Sequence, residues 1–84
     1  MNLTTESITV HMGIRGHCAE YFPELPEEFT HQCGVGLTLR QVMVSLGINP
    51  LLIMGVVVNG KLAKKDYLLQ EGDKVILLSP PTGG

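Results

Sequence analysis

Apolar and polar residues alternate along the stretch SITVHMGIRG near the start of the chain. The apolar face of this alternation consists of Ile8, Val10, Met12 and Ile14. A period of two residues with one apolar face predicts a β-strand that buries that face. Residues 15–26 contain Pro23 and Pro26, which predicts a connection with one helical turn at CAEYF. A second strand is predicted in EEFTHQC, with Phe29, His31 and Cys33 on a common face.

The segment LTLRQVMVSLGINP has the periodicity of an amphipathic helix. Its apolar stripe, at spacings of i, i+3, i+4 and i+7, consists of Leu39, Val42, Met43 and Leu46. Thr38 is a suitable N-cap residue, because its hydroxyl can accept a hydrogen bond from a backbone N–H of the first turn. Gly47 is placed to end the helix, and Pro50 prevents its continuation. We therefore predict one main helix.

The rest of the chain contains apolar runs that predict strands. LLIMGVVVNGKLAKK predicts a strand, a tight turn at Asn59-Gly60 and a short returning strand. Since VVV is apolar on both faces, we expect the helix to cover one side of this strand and a partner protein to cover the other. DYLLQEGD predicts a connecting turn closed by Gly72, and KVILLS predicts the last strand.

The predicted order is strand, strand, helix, strand, short strand, strand. One helix covers one face of a mixed sheet, and the final strand can then lie in the middle of the sheet beside the first strand. The order predicts an α+β fold of the ubiquitin-like β-grasp type, with about four to five strands packed on one main helix. We place the β-grasp domain at residues 1–79 and a flexible C-terminal tail, which ends in Gly-Gly, at residues 80–84.

Composition narrows the class of protein. The 84 residues are 44% hydrophobic and 17% charged, which is enough apolar content for one folded domain. The net charge is −2 and no basic stripe is present, so a nucleic-acid-binding surface is not expected. There is no signal peptide and no apolar stretch of membrane-spanning length, so we expect a cytoplasmic protein that binds no membrane. Cys18 and Cys33 are then expected to be free thiols.

The chain ends in SPPTGG, whose chemistry can be argued residue by residue. Pro80 and Pro81 lack a backbone N–H, so the last strand should end near Ser79 and the tail should follow an extended path. Gly83 and Gly84 have no side chains, so an extended diglycine can enter a narrow channel in a partner enzyme and present its carboxylate there. A carboxylate is a poor acyl donor until it is activated, typically as a mixed anhydride with AMP.

From about Val56 to Gly84 the chain resembles the MoaD/ThiS-like sulfur-carrier proteins of the β-grasp superfamily. VVVNGKL, LLQEGDKVILL and SPPTGG carry the resemblance: an apolar strand ending in Asn, a downstream Gly-Asp, another apolar strand and a terminal Gly-Gly. The paired prolines are more similar to the molybdopterin synthase small subunit than to the thiamine-pathway carrier. Two features depart from the pattern of the molybdopterin type and bear on which pathway the protein serves. Residues 15–26 are a poor helix candidate, and the outward positions of the first strand are His11 and Gly13 instead of aromatic residues.

The resemblance implies a carrier protein, or a small non-catalytic subunit of a synthase, rather than an enzyme. Gly84 would carry first an adenylate and then a thiocarboxylate, with ATP used by the activating enzyme and no tightly bound cofactor. Gly83 would allow close approach, and Pro80, Pro81 and Thr82 would set the exit path of the tail. The implied partners are an E1-like adenylating enzyme of the MoeB/ThiF type and either the molybdopterin synthase large subunit or thiazole synthase.

The resemblance also implies a docking surface on the open face of the sheet. Leu62 and Leu78 match positions that are apolar and exposed to partners in the molybdopterin type. The alternative is that both are ordinary core residues.

Three classes of function stay open. The first is a sulfur carrier for molybdopterin (molybdenum or tungsten cofactor) biosynthesis, or for the thiamine pathway. The second is a ubiquitin-like protein modifier that forms isopeptide bonds with target lysines. The third is a non-covalent β-grasp interaction module whose terminal glycines are incidental.

Histidine and cysteine residues raise the question of a metal site. His17-Cys18 and His31-x-Cys33 match no established zinc spacing, and all four residues would have to converge. We therefore predict no metal site and assign these residues to the surface or to small buried positions.

We expect the charged residues in the second half of the chain to have structural roles. The acidic residues near the last strand are Asp66, Glu71 and Asp73. They are not expected to form a catalytic pair, because Glu71-Gly72-Asp73 has the composition of a turn. The basic residues near the predicted hairpin are Lys61, Lys64 and Lys65. We expect these lysines to form a solvated rim, or to steer an acidic partner.

Overall fold

The computed structural model describes residues 6–16 and 26–79 of the chain. The described residues form five β-strands, one α-helix and one 3-10 turn. In chain order these are β1 (Ser7–Arg15), β2 (Glu28–Gly34), α1 (Leu39–Ser45), the 3-10 turn (Pro50–Leu52), β3 (Gly55–Val58), β4 (Lys61–Ala63) and β5 (Lys74–Leu78). The helical turn predicted at CAEYF and the tail at residues 80–84 lie outside the described residues, so the division between domain and tail stays a prediction.

The five strands form one mixed sheet in the order β2-β1-β5-β3-β4. The last strand, β5, lies between β1 and β3; it is parallel to β1, whereas the other neighbours are antiparallel. The prediction that the final strand lies beside the first strand in the middle of the sheet is confirmed. Because β1 and β5 run in the same direction, both strands end at the same end of the sheet.

One face of the sheet joins α1 in a single hydrophobic core. The buried apolar side chains are Ile8, Val10, Met12, Ile14, Leu39, Val42, Met43, Ile48, Ile53, Val56, Val58, Leu69, Val75 and Leu77. This set includes all four apolar positions predicted on β1 and three of the four predicted on the helix. Full burial of each large aliphatic side chain stabilises the fold by about 1.5–3 kcal/mol before entropy is counted.

Local signals at both ends define the helix α1. The Thr38 hydroxyl accepts a hydrogen bond from the Gln41 N–H at 3.2 Å, and the Gln41 side chain accepts one from the Thr38 N–H at 2.8 Å. This reciprocal pair is a capping box, which satisfies two backbone donors of the first turn. Gly47 follows the C-cap Leu46 with a φ of +82°, as predicted for a helix-ending glycine. No helix within the described residues is long and apolar enough to span a bilayer.

The predicted strand over LLIMGVVV is wrong in its first half. Pro50–Leu52 form a 3-10 turn, and β3 begins only at Gly55. The Asn49 side chain accepts a hydrogen bond from the Leu51 N–H at 3.0 Å, and the Leu52 N–H donates to the Asn49 carbonyl at 2.9 Å. Asn at the cap and Pro at the first position therefore start a turn, although the apolar composition alone favours a strand.

The hairpin between β3 and β4 turns at Asn59 and Gly60, as predicted. Both residues have positive φ, 53° and 84°, as a two-residue type I′ turn requires. Asn59 is the one non-glycine residue with positive φ in the part of the chain that the structure describes.

Candidate functional site

The chain leaves the sheet at the end where β1 and β5 both terminate. Arg15, the last residue of β1, is paired with Leu78, the last residue of β5. Ser79 follows β5 and is buried; its N–H and its hydroxyl both donate to the Arg15 carbonyl at 3.1 Å. The prediction that the last strand ends near Ser79 is confirmed. Ser79, the last described residue before the predicted tail, is therefore fixed by hydrogen bonds.

Gly16 lies directly against this point. It has a φ of +93°, and a Cβ placed on it would lie 2.6 Å from Ser79 Oγ and 2.7 Å from the Ser79 carbonyl oxygen. Any other residue would need both a strained backbone and a displaced Ser79, so glycine is required here. We call Arg15, Gly16 and Ser79 the collar. The collar fixes the backbone at Ser79, the residue that precedes the predicted tail.

The residues predicted to carry the chemistry follow the collar directly in sequence. They are Pro80, Pro81, Thr82, Gly83 and Gly84, and all of them lie outside the described residues. Their roles stay predictions.

The face of the sheet opposite the core, here called the open face, carries a row of apolar side chains. The register pairs Leu62 of β4 with Val57 of β3, and Val57 with Ile76 of β5. Ile76 is paired in turn with Gly13 of β1. Paired residues lie on the same side of a sheet, so the row runs across neighbouring strands. These residues alternate along their strands with the core residues, which places the row on the side away from the core.

The structure places both leucines of the predicted docking surface outside the core. Leu62 is 81% exposed. Leu78 is half-buried and lies on the open face, where it is paired with Gly55. A partner can therefore reach both side chains, and their role in docking stays a prediction.

The row ends at Gly13, where the open face becomes charged. A shallow groove here is lined in part by His11, Gly13, Arg15, Glu28 and Lys74. Arg15 Nη2 donates to Glu28 Oε2 at 2.7 Å, and Arg15 Nη1 would lie 3.1 Å from a Cβ on Gly13. The open face is therefore apolar along the row from Leu62 to Ile76, and charged around the groove, which includes Lys74 at the start of β5.

Asp73 is the centre of a hydrogen-bond network that sequence reasoning missed. Asp73 is buried, with 5% of its surface exposed, and its carboxylate accepts hydrogen bonds from the Asn59 amide, the Tyr67 hydroxyl and the Gln70 N–H, each at 2.8 Å. Asn59 also accepts a hydrogen bond from the Lys74 N–H at 2.9 Å, which ties the hairpin turn to the start of β5. The Asn and the Gly-Asp that carried the family resemblance are thus direct partners. That pairing is the sequence signal that would have located the network.

The network determines the protonation of its two titratable groups. Burial acts to raise the pKa of Asp73, but the hydrogen bonds from Gln70, Asn59 and Tyr67 outweigh it and hold this pKa below its ordinary value. The pKa of Tyr67 is raised because its hydroxyl donates to the Asp73 carboxylate, with burial and the negative charge adding to the effect. Asp73 is therefore an ionised structural acceptor. The turn predicted at Glu71-Gly72-Asp73 is confirmed, with Gly72 at a φ of +80°.

Within the described ranges, no three His, Cys, Asp or Glu side chains come together to hold a metal ion. His31 and Cys33 both lie on β2, whereas His17 and Cys18 lie outside those ranges. The expectation that there is no metal site therefore stays a prediction. Burial raises the pKa of the free Cys33 thiol, which favours its protonated and less reactive form.

The three lysines near the hairpin do not share one environment. Lys61 and Lys64 are exposed, as expected for a solvated rim. Lys65 is half-buried, and its Nζ donates to the Pro50 carbonyl at 2.8 Å. The prediction of a solvated rim is therefore wrong for Lys65, because this side chain is hydrogen-bonded to the 3-10 turn.

Two solved structures share this architecture. The crystal structure of SAMP1 from Haloferax volcanii is similar with a TM-score of 0.68 and 19% sequence identity, over 90% of this chain and 99% of that chain. The solution structure of the Haloferax volcanii HVO 2177 protein gives a TM-score of 0.74 and 18% identity, over 100% of this chain and 93% of that chain. At these identities the likeness shows the fold, which is the ubiquitin-like β-grasp predicted from the sequence.

The comparison with protein families is more specific. No match is found among curated proteins. The model of the ThiS family matches residues 19–84, which cover most of the chain, including the Asp73 network, Ser79 and the terminal Gly-Gly. The chain therefore belongs to the ThiS family.

Proposed function

We propose that this protein is a sulfur carrier whose terminal Gly84 is adenylated and then converted to a thiocarboxylate. The observation that carries the proposal is membership of the ThiS family over residues 19–84, a range that reaches the diglycine at the end of the sequence. The collar supports it, because a carboxylate on a short tail is presented accurately only if the tail leaves from a fixed point. In this role the protein supplies the acyl group and the docking surface, and its partner enzymes perform the catalysis.

The chemistry takes place in two steps. An E1-like adenylating enzyme lets the Gly84 carboxylate attack the α-phosphate of ATP; a carboxyl oxygen–phosphorus bond forms and pyrophosphate leaves. A sulfide donor then attacks the acyl carbon of the adenylate, a carbon–sulfur bond forms and AMP leaves. The product is a C-terminal thiocarboxylate, which a receiving synthase uses as its sulfur source. No electrons are gained or lost if the donor is sulfide itself.

For the pathway, we propose molybdopterin (molybdenum or tungsten cofactor) biosynthesis. Pro80 and Pro81 before the diglycine support this branch through their similarity to the molybdopterin synthase small subunit. The receiving partner would then be the molybdopterin synthase large subunit, docked on the open face at Leu62 and Leu78. The alternative receiver is thiazole synthase of the thiamine pathway. Incubating the thiocarboxylated protein with each synthase and its substrate distinguishes the two, because only the true receiver removes the sulfur.

The test of the carrier function is the intact mass of the protein after incubation with an E1-like adenylating enzyme, ATP and a sulfide source. The expected result is a gain equal to the replacement of one oxygen by one sulfur, localised to Gly84 by fragmentation. Two variants serve as controls: one lacks Gly84, and one carries an additional alanine after it, which keeps both glycines but moves the carboxylate. Neither variant should gain sulfur. A mass that stays unchanged in the wild type, with an enzyme that is active on another carrier, would overturn the proposal.

The likeness in fold to SAMP1 supports a second candidate, a ubiquitin-like protein modifier. Adenylation of Gly84 is common to both functions, so the first step does not separate them. A modifier forms an isopeptide bond between its terminal carboxyl and a lysine of another protein. Recovery of such adducts from cells, lost in the variant without Gly84, would favour this candidate over the carrier. Full function of that variant would favour the non-covalent interaction module instead.

A further inference from the structure

The length of the tail limits which part of this protein an activating enzyme can contact. The inference rests on the proposed function, in which the Gly84 carboxylate enters the active site of the adenylating enzyme. Five residues follow Ser79, and five fully extended residues span at most about 18 Å. The part of the tail that lies inside the enzyme's channel leaves less of this length between the enzyme and Ser79. The enzyme must therefore come into contact with the surface that surrounds the collar.

One exposed apolar side chain lies at this surface, and a second follows three residues earlier in the chain. The Met54 N–H donates to the Leu78 carbonyl at 2.8 Å, so Met54 lies beside the last residue of β5, and its side chain is 67% exposed. Leu51 is three residues earlier in the chain, at most about 11 Å from Met54. At 88% it is the most exposed large apolar residue of the described part of the chain. Exposed single leucines are common, but Met54 lies beside the end of β5, where the proposed function requires contact, and Leu51 lies within about 11 Å of it.

The fold holds these two side chains outward on a fixed backbone. Ile53, which lies between them in sequence, is 1% exposed and anchors the segment in the core. The Ile53 N–H donates to the Pro50 carbonyl at 3.1 Å, and Lys65 Nζ donates to the same carbonyl at 2.8 Å. The turn is thus formed before any partner binds. Little backbone entropy is then lost when Leu51 and Met54 enter an interface.

We propose that Leu51 and Met54 form a second docking surface, the collar patch, that packs against apolar side chains of the adenylating enzyme at the mouth of the channel that receives the tail. The collar patch is separate from the row of Leu62, Val57 and Ile76 on the open face. The adenylating enzyme is its occupant, because this enzyme has to approach the collar in order to hold the Gly84 carboxylate. The collar patch therefore adds a contact with the adenylating enzyme that is separate from any contact made by the open face.

Val35 supplies a matched control at the far end of the sheet. It is an exposed aliphatic residue, 56% exposed, and it follows Gly34, which is paired with Ser7 at the start of β1. The nine residues of β1 separate this end of the sheet from the collar by about 26 Å. An enzyme that contacts the collar has no corresponding need to contact Val35.

The experiment compares the full-length variants Leu51→Ser, Met54→Ser and Val35→Ser in ATP–pyrophosphate exchange with an E1-like adenylating enzyme from the same organism. Truncation of a side chain at the centre of an interface weakens binding by about fivefold or more, so KM for the carrier should rise about fivefold in each collar-patch variant if the two residues are central to the contact. The kcat should stay at the wild-type value, and Val35→Ser should resemble the wild type in both constants. Thermal unfolding of each variant confirms that it is folded, which is expected because the replaced side chains are exposed.

Near-isosteric variants make the test sharper. Leu51→Asn and Met54→Gln keep most of the side-chain volume and remove the apolar surface, so they should reproduce the rise in KM. Wild-type KM values in the collar-patch variants, or a rise of equal size in Val35→Ser, would overturn the collar patch and leave the proposed function intact. No exchange with the wild-type protein itself would overturn the proposed function and the collar patch together.

Discussion

Different kinds of interaction stabilise the two ends of β5. At its start, the buried Asp73 carboxylate is surrounded by donors from Asn59, Tyr67 and Gln70. At its end, Ser79 is held by the Arg15 carbonyl and by the close approach of Gly16, which no larger residue permits. The first end depends on a charged side chain and its partners. The second end depends mainly on backbone atoms and on a missing side chain.

Under the proposed function, this difference separates stability from activation along one strand. A buried carboxylate that accepts three hydrogen bonds from protein donors stabilises the fold. The collar contributes fewer side-chain contacts but fixes Ser79, the residue to which the predicted tail is joined. Variants at the start of β5 should therefore lower the free energy of unfolding and leave activation unchanged. Variants at the collar should slow activation in a protein that still folds.

The largest effect is expected from Gly16→Ala. The added Cβ has to displace Ser79 because it would lie 2.6 Å from Oγ and 2.7 Å from the carbonyl oxygen, and this shift changes the point of departure of the tail. Misplacement of a reacting group by about 1 Å can slow a reaction by about 100-fold, so we expect kcat of adenylation to fall by roughly 10- to 100-fold. The KM for the carrier should change much less, because the docking surfaces are intact. Pyrophosphate exchange measures both constants.

Gly36→Ala is the matched control for the backbone strain. Gly36 has a φ of +88°, close to that of Gly16, but a Cβ on Gly36 meets nothing within 4 Å. Both substitutions place alanine in the left-handed region, which costs about 1–2 kcal/mol of stability. Only Gly16→Ala should also lower kcat. Equal kcat values in the two folded variants would show that the collar does not position the tail.

The next effect in size is the loss of stability in Asp73→Asn. Asparagine has a single acceptor oxygen, and its amide hydrogens would face donors, so part-buried donors lose their acceptor. We expect the free energy of unfolding at neutral pH to fall by about 2 kcal/mol, measured by urea denaturation. Asp66→Asn, the same substitution at an exposed position of the same connection, should change it by less than about 0.5 kcal/mol. A reduced kcat in folded Asp73→Asn would contradict the expectation that the start of β5 affects stability and not activation.

The pH dependence of unfolding tests the same carboxylate. Because the pKa of Asp73 is lower in the folded protein than its ordinary value, ionised Asp73 stabilises the fold fully above that value. This stabilisation should be lost as the pH falls below about 4, through the lowered pKa. The stability of Asp73→Asn should decrease less over this acidic range than that of the wild type. Parallel curves for the two proteins would show that Asp73 does not titrate as the network requires.

Local patterns were sufficient to predict most of the fold. The alternation in β1, the apolar stripe of α1 and the Asn59-Gly60 turn each depend on neighbours within a few residues, and all three predictions are confirmed. The 3-10 turn was missed because LLI is apolar and short, and periodicity cannot assign such a run. Its own signal is the pair Asn49-Pro50, a cap followed by a residue with fixed φ.

The candidate site was predictable only in part, for a physical reason. The chemistry of Gly83 and Gly84 lies in the covalent chain, so the sequence is enough to propose it. The collar joins Gly16 to Ser79, residues that are distant in sequence and are brought together by the parallel pairing of β1 and β5. The Asp73 network likewise needs the fold to bring Asn59 and Tyr67 to one carboxylate. Such contacts follow from register, which a single sequence does not supply.

A smaller effect is expected on the open face, from Leu62→Ser. The side chain is 81% exposed, so its loss should leave the free energy of unfolding nearly unchanged. If the open face docks partners, KM in adenylation should rise about fivefold without a change in kcat. Leu68→Ser is the control, because Leu68 is also exposed, at 52%, but lies in the connection before β5 and outside the apolar row. Equal KM values for the two variants would show that Leu62 is not part of the docking surface.

The smallest effect is expected from Glu28→Gln, which removes the ion pair with Arg15 at the edge of the collar. The pair is short, at 2.7 Å, but the two side chains are 45% and 72% exposed, so water and salt screen their attraction. We expect the free energy of unfolding to fall by less than about 0.5 kcal/mol in low salt, and the difference from wild type to vanish at about 1 M salt. Glu27→Gln, at the exposed neighbour outside the pair, controls for the change in net charge. Because the collar holds Ser79 through the Arg15 backbone carbonyl, kcat should not respond to Glu28→Gln. A large fall in kcat would mean that the Arg15 side chain, and not only its backbone, positions the tail.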